Sequence, residues 1–219
     1  NLISIPAGDY TVPVSIPIPA YVLTILGDLT VEPDETISLS MNTFVTVIAG
    51  PTVNSVYTIL NDDSSTASVS ATTPVIAEGG PAAAGTGTFA FAFSNPVSTA
   101  RTVSYAVAGT ATSGTDFVAL SGSFVMPAGA ITYNLTLTSV ADLIVAVDET
   151  VRVTITGVSG SPVVSVNATP AVITIDDDDI PTILYSPAAV SMAEGSTATI
   201  EVWLSNAPAG PVTINVSTL

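Results

Sequence analysis

The stretch DETVRVTI at 148–155 shows two patterns that together decide the fold. Val151, Val153 and Ile155 alternate with polar residues, and this period of two predicts a β-strand with one buried face. The acidic start and the alternation also occur 114 residues earlier, as DETISLS at 34–40. The stretch therefore belongs to a repeated unit that is built from strands.

Two more acidic motifs recur at nearly the same distance. NDD at 61–63 returns as DDD at 177–179, and AEG at 77–79 returns at 193–195. A period of this length indicates a repeated domain rather than a solenoid turn. The predicted units are the C-terminal part of one domain at 1–64, a complete domain at 65–180 and the N-terminal part of another at 181–219.

The rest of the complete unit also consists of strand signals. Short alternating runs are separated by turn sequences such as PAG and SNP, and no stretch has a convincing helical period. This pattern predicts an all-β chain of tandem antiparallel β-sandwiches. The predicted strands include TFAFAFS at 88–94, TVSYAV at 102–107, ITYNLTL at 131–137 and AVITI at 171–175.

The charge balance excludes several classes of partner. The 219 residues carry a formal net charge of −16, with no Lys or His and with Arg only at 101 and 152. Nucleic acids and anionic lipids require basic patches, so neither is a predicted partner. No apolar run is long enough for a membrane span, and we predict no direct membrane insertion. A Thr-rich β chain without Lys or Cys is typical of extracellular or bacterial cell-surface proteins, where we place this chain.

The composition also argues against an enzyme. Without His, Cys or Lys there is no imidazole base, thiol nucleophile or Ser–Lys pair, so no catalytic residues are predicted. Paired carboxylates could hydrolyse glycosides, but acids that recur at fixed points of a repeat suit a metal site better. Their chemistry favours a hard cation, Ca²⁺ above all.

The two partial units raise the question of what covers their open core faces. Half a sandwich leaves apolar surface and strand edges exposed. Two explanations stay open at this stage. Either neighbouring repeats of a longer array supply the missing strands, or neighbouring copies of the chain complement each other in a head-to-tail filament.

Five motifs in order resemble the Calx-beta domain family. They are AEG before the first strand, GTATSGTDF at 109–117, the PAG turn, DLTVEPDETISLS at 28–40 and ILNDD at 59–63. The resemblance implies an Ig-like sandwich of about seven strands. The family occurs in regulatory regions of sodium–calcium exchangers, in an integrin subunit and in many large bacterial surface proteins.

The resemblance also implies a calcium site, because calcium-binding members hold their ions at one end of the sandwich. The second copy departs from the family loop, since Ala146 stands where the first copy keeps Glu32. The alternative is that the acids are turn and strand-edge residues. The implied ligands are Glu78, Asp116, Asp142, Glu149, Asp177, Asp178 and Asp179 in the complete unit, Asp28, Glu32, Glu35, Asp62 and Asp63 in the first copy, and Glu194 in the third.

These expectations combine into a calcium-stiffened stalk or filament with a structural and adhesive role. Asp176–Asp179 lie between two units, where an ion would stiffen the link between them. Two alternatives are a calcium-sensing regulatory module and a carbohydrate-binding module of a larger surface protein. A carbohydrate site would need an exposed aromatic platform, for which the sequence offers only Trp203.

Overall fold

A computed structural model describes residues 24–40, 54–80, 83–208 and 210–217. Residues 1–23 of the first predicted unit lie outside these ranges. Within the described residues all regular structure is β-strand, which confirms the predicted all-β class. No helix in this part of the chain is long and apolar enough to cross a membrane.

The strands follow one another with short connections. In chain order they are β1 (Glu35–Ser40), β2 (Asn54–Ile59), β3 (Thr66–Ala71), β4 (Val75–Ala77), β5 (Gly79–Gly80), β6 (Ala83–Ala84), β7 (Thr86–Phe93), β8 (Arg101–Gly109), β9 (Ser123–Met126), β10 (Thr132–Thr138), β11 (Glu149–Val158), β12 (Ser165–Val166), β13 (Ala171–Asp176), β14 (Ile183–Ser186) and β15 (Glu201–Leu204).

The strands from β3 to β13 form two sheets. One has four strands in the order β10-β7-β3-β12, and the other has five in the order β4-β13-β11-β8-β9. The neighbouring pairs are antiparallel, except that β12 runs parallel to β3 and β4 runs parallel to β13. The inward faces of both sheets share one hydrophobic core, which makes this region a sandwich.

The core follows the alternation that the sequence predicts. Phe89, Phe91 and Phe93 point inward from β7, while the residues between them are less buried. Val151, Val153 and Ile155 do the same from β11 in the facing sheet. These runs fold as strands because only a period of two places every second side chain in the core.

The flanking segments form separate hairpins. β1 pairs antiparallel with β2, and β14 pairs antiparallel with β15. Both hairpins leave large apolar side chains exposed, including Val56 and Tyr57 in the first and Val202 and Trp203 in the second. No observation tests the three predicted unit boundaries, so they stay a prediction.

The strand directions bring several loops to one end of the sandwich. β4 and β13 are parallel, so both end there, and β11 begins there because it is antiparallel to β13. β8 also ends there, with Gly109 paired to Val151 near the start of β11. Gly109 has φ +136°, and a Cβ atom at this position would overlap the carbonyl group of Thr150.

Candidate metal centre

Three carboxylates meet at this end of the sandwich. Glu78 follows β4, Asp142 lies in the loop between β10 and β11, and Asp179 lies beyond β13. One oxygen from each lies within 4.8 Å of the other two. The backbone N–H of Asp142 donates a hydrogen bond to Oε1 of Glu78 at 3.2 Å, which fixes the loop against β4.

A small acidic pocket adjoins this triad. Its polar wall adds the carboxylates of Asp116, Glu149 and Asp177 to those of Glu78 and Asp142, and Ala146, Val147 and Ile175 complete the lining. Six of the seven residues predicted for the complete unit therefore gather at one place. Asp178 is exposed and does not line the pocket.

Local hydrogen bonds hold the acidic loops in place. Asp116 accepts a bond from the N–H of Thr112 at 2.6 Å, and Asp142 accepts one from the N–H of Ile144 at 2.6 Å. The hydroxyl of Ser139, which is 1% exposed, donates to the carbonyl oxygen of Glu78 at 2.6 Å. Asp116 and Asp142 therefore stabilise their own loops, as turn residues do, and they also line the acidic pocket.

Burial and the neighbouring acids raise the pKa values of the two glutamates in the pocket. The pKa of Glu149 rises from 4.5 to about 7, mainly because it is partly buried and also because it shares a hydrogen bond with Asp116. The charges of Asp116, Glu78 and Asp142 raise this pKa further. The pKa of Glu78 is also raised, first by burial and then by the charge of Asp142. Without a cation, Glu78 and Glu149 hold protons more tightly than isolated glutamates do.

The acidic run after β13 continues the alternation of the strand. Asp177 and Asp179 are half-buried, whereas Asp176 and Asp178 are exposed. Oδ1 of Asp177 is buried and has no hydrogen-bond partner. The pKa of Asp179 is raised by burial and by the charges of Asp177, Asp178 and Asp142, although a hydrogen bond from Asn206 opposes this rise. An orphaned carboxylate oxygen in an acidic pocket is a group that a cation would satisfy.

The set of donors fits a hard cation. All ionisable groups in the pocket are carboxylates, and the described chain brings them from four separate segments. Ca²⁺ takes six to eight oxygen ligands and tolerates flexible geometry. A site of this kind suits it better than a thiolate or imidazole metal such as Zn²⁺, because the sequence contains no Cys or His.

The first copy brings Glu32 near other acids, but among the described residues only Glu78, Asp142 and Asp179 bring three carboxylate oxygens within 4.8 Å of one another. The pKa of Glu32 is raised by partial burial and by the charges of Glu35, Asp28 and Asp63. Asn61 joins the two halves of the group, since its side-chain oxygen accepts from the N–H of Glu32 at 3.1 Å and its side-chain nitrogen donates to the carbonyl oxygen of Asp63 at 2.9 Å. Of the predicted ligands in the first copy, Glu32 and Asp63 are half-buried, whereas Asp28, Glu35 and Asp62 are exposed. Glu194 of the third copy is also exposed, beside a turn at 193–196.

Two polar residues around the site were not predicted from the sequence. Asp148 accepts a bond from the N–H of Asp177 at 3.4 Å, and its charge and hydrogen bond raise the pKa of Asp176. Asn206, from the following unit, donates to Oδ1 of Asp179 at 3.0 Å. The DET motif contains Asp148 and the repeated SN dipeptide contains Asn206, so both had a signal in the sequence.

Comparisons with known proteins returned solved structures only. No protein-family model matches the sequence, and no curated protein matches it. A crystal structure of the apo form of a Calx CBD1 domain is 22% identical, with a TM-score of 0.44, and the match covers 53% of this chain and 100% of that one. Crystal structures of CBD12 from CALX1.2 and of the calcium binding domain CBD12 of CALX1.1 are each 23% identical, with a TM-score of 0.42, and the matches cover 51% of this chain and 45% of those chains.

Proposed function

We propose that the complete unit binds Ca²⁺ at the end of its sandwich. The observation that carries the proposal is the meeting of Glu78, Asp142 and Asp179, whose carboxylate oxygens lie within 4.8 Å of one another. Three like charges at this separation repel strongly unless a cation or protons neutralise them. The unpartnered, buried Oδ1 of Asp177 supports the same conclusion.

When bound, the ion supplies positive charge that cross-links segments distant in sequence. Glu78 would hold it from the end of β4, Asp142 from the loop before β11 and Asp179 from the segment that leads into the next unit. Asp116, Glu149 and Asp177 would supply further oxygens from the adjoining pocket. Such an ion ties the link between two units to the body of the sandwich.

On the basis of this coupling we propose a biological role as a calcium-stiffened structural and adhesive stalk or filament outside the cell. Repeated sandwiches with an ion near each link resist bending more than acidic linkers that repel one another. Millimolar calcium is characteristic of extracellular fluids, where even a weak site of the extracellular class is filled. The small share of charged residues, 9%, and the absence of Lys, His and Cys from the sequence support the same setting.

The first experiment is a thermal melt of the whole chain in millimolar calcium and again in chelator. Calcium at a hundredfold excess over its Kd adds about 2.7 kcal/mol to the free energy of unfolding. For a chain of this size that corresponds to a rise of about 5–10 °C in Tm. Equal Tm values in the two conditions would show that the chain does not bind calcium at this site.

Two variants of the acidic run sharpen this test. Asp179→Asn removes a member of the triad, so we expect it to lose most of the calcium-dependent rise in Tm. Asp178→Asn is the matched control, because this neighbour is exposed and does not line the pocket. If both variants lose the same share of the rise, the effect comes from total charge and not from a site.

The partner of the open hairpins is tested by particle size. Residues Val56, Tyr57, Val202 and Trp203 leave apolar surface exposed on β1–β2 and β14–β15. In the complete unit, the strands that correspond to these two hairpins by the repeat pack against each other across the core. We propose that neighbouring repeats or neighbouring copies cover them in the same way. Light scattering of the whole chain should show head-to-tail oligomers, and a monodisperse monomer would contradict completion by neighbouring copies.

A further inference from the structure

The complete unit at 65–180 is joined to the segment before it, at the first link, and to the segment after it, at the second link. Both links contain a backbone contact in which no acidic side chain takes part. At the first link the N–H of Val31 donates to the carbonyl oxygen of Pro96 at 2.9 Å, and the N–H of Ser98 donates to the carbonyl oxygen of Val31 at 3.0 Å. These two bonds form an isolated parallel β-bridge between Val31 and Val97. A loop of the first unit is thereby joined to the turn after β7 in the central sandwich.

The second link repeats this contact at the equivalent positions. Val145 in DLIV at 142–145 corresponds to Val31 in DLTV at 28–31. Ala207 in SNA at 205–207 corresponds to Pro96 in SNP at 94–96. The N–H of Val145 donates to the carbonyl oxygen of Ala207 at 3.1 Å, and a parallel bridge again joins the two segments. The same backbone bond therefore recurs although the side chains differ.

The SN turn is itself fixed to the linker in both places. The N–H of Thr66 donates to the hydroxyl of Ser94 at 2.9 Å, and the N–H of Thr182 donates to the hydroxyl of Ser205 at 2.9 Å. In return, the N–H of each serine donates to the carbonyl oxygen of its threonine, at 3.0 Å for Ser94 and 2.9 Å for Ser205. These bonds hold each turn in one conformation before it contacts the preceding unit. Docking then costs less conformational entropy.

The valine adds an apolar anchor to the backbone bridge. Val31 is only 1% exposed and belongs to the hydrophobic core of the central sandwich, beside Val97. A side chain of one unit is therefore buried in the core of the next. Val145 is half-buried at the second link, where the described part of the following unit contributes one hairpin.

We infer that the DL-x-V loop, at 28–31 and 142–145, docks with the SN turn, at 94–96 and 205–207, and that this contact holds each repeat to the next without the metal. The loop of one unit accepts the turn of the unit that follows, and the recurring bond gives both links the same local register. The partner for this surface is another repeat of the same kind. The inference does not rest on calcium binding, because backbone groups and an apolar side chain make the contact.

Hydrogen exchange of the whole chain tests the docking pair directly. Val31→Pro removes the N–H that donates to Pro96, and Val31→Ala keeps it but removes two methyl groups from the core. We expect the Ser98 amide to exchange about tenfold faster in Val31→Pro and less so in Val31→Ala, in calcium and in chelator alike. Leu29→Ala is the matched control, since Leu29 lies on the same loop and is 63% exposed.

The amides of β11 and the matching link separate docking from general unfolding. Slow exchange of β11 in each variant shows that the central sandwich is folded. Val145→Pro should leave the Ser98 amide protected, because it affects only the second link. If Ser98 exchanges at the same rate in Val31→Pro and in the unchanged chain, or is protected only in calcium, the inference fails.

Discussion

Glu149 provides the sharpest test of the acidic pocket, because its protonation and calcium binding compete. Its pKa in the folded chain is about 7, compared with 4.5 for an isolated glutamate, chiefly owing to partial burial and the hydrogen bond with Asp116. The folded state therefore binds the proton more tightly than the unfolded state between these two values. It follows that this group makes the chain less stable as pH rises from about 4.5 to 7, with the full stabilisation present only below 4.5.

The size of this effect follows from the shift. A rise from 4.5 to about 7 corresponds to about 3 kcal/mol at full strength. Glu149 is only half-buried, and solvent screening reduces this to about 1–2 kcal/mol. For a sandwich unit of this size we expect Tm to fall by about 4–8 °C over this pH interval in chelator.

The perturbation is Glu149→Gln, which copies the neutral form at every pH. In chelator, we expect the variant to lose the part of the pH-dependent fall in Tm that Glu149 causes, so that it melts above the unchanged chain at pH 7.5. In millimolar calcium the order reverses, because the ion takes the place of the proton and the variant lacks one carboxylate. Glu201→Gln is the matched control, since Glu201 is exposed on β15, away from the pocket.

The assay is a series of thermal melts from pH 4.5 to 8 with calcium or chelator. Titration calorimetry at pH 7 in buffers of different ionisation enthalpy gives a second measurement, since calcium binding should release a proton from the unchanged chain and less from the variant. Parallel Tm curves for Glu149→Gln and the unchanged chain in chelator would refute the shared-proton explanation of the pocket.

Three further variants test how the site is supported. Ala146→Glu restores the acid that the first copy has as Glu32, and because Ala146 lines the pocket we expect tighter calcium binding by calorimetry and a lower Tm in chelator; unchanged affinity would show that this wall is not part of the site. Ser139→Ala removes a buried hydroxyl that donates to the carbonyl oxygen of Glu78, so denaturant melts should show a loss of about 1–3 kcal/mol in the free energy of unfolding. Calorimetry should show weaker calcium binding, and an unchanged affinity would show that Ser139 does not support the site. Gly109→Ala places a Cβ atom against the carbonyl group of Thr150 at φ +136°, and we expect the largest destabilisation of the three, measured by urea midpoint; a neutral result would contradict the described pairing of β8 with β11.

The sequence predicted the strands well, because burial in this fold has a strict period of two. Phe89, Phe91 and Phe93 could be assigned to the core from spacing alone, and the structure buries all three. The meeting of Glu78 with Asp179 is different, since it depends on the parallel pairing of β4 with β13, which no local sequence pattern predicts. The repeat could show that these acids recur, but only the sheet order shows that they converge.

The acidic run after β13 shows where a stronger inference was available. Asp177, Asp178 and Asp179 were all predicted as ligands from the sequence. The alternation that buries Ile173 and Ile175 continues for two steps beyond the strand, so it turns Asp177 and Asp179 inward and leaves Asp178 outside. Following the period to its end would have separated the two inward acids from their exposed neighbour. The contribution of Asn206 could not be found in this way, because Asn206 lies 27 residues beyond Asp179 in the sequence.

The two links differ in their acids but share their backbone contact, and this difference has a physical consequence. Glu32 at the first link is replaced by Ala146 at the second, and Asn61 by Asp177, so the negative charge available to a cation changes from link to link. The bond from Val31 to Pro96 and the bond from Val145 to Ala207 use only main-chain atoms, which such substitutions leave in place. Under the proposed docking and calcium binding, the backbone contact would fix where one unit meets the next, and the acids would set how strongly calcium reinforces that link. An array built in this way would vary its calcium affinity along its length and keep one register throughout.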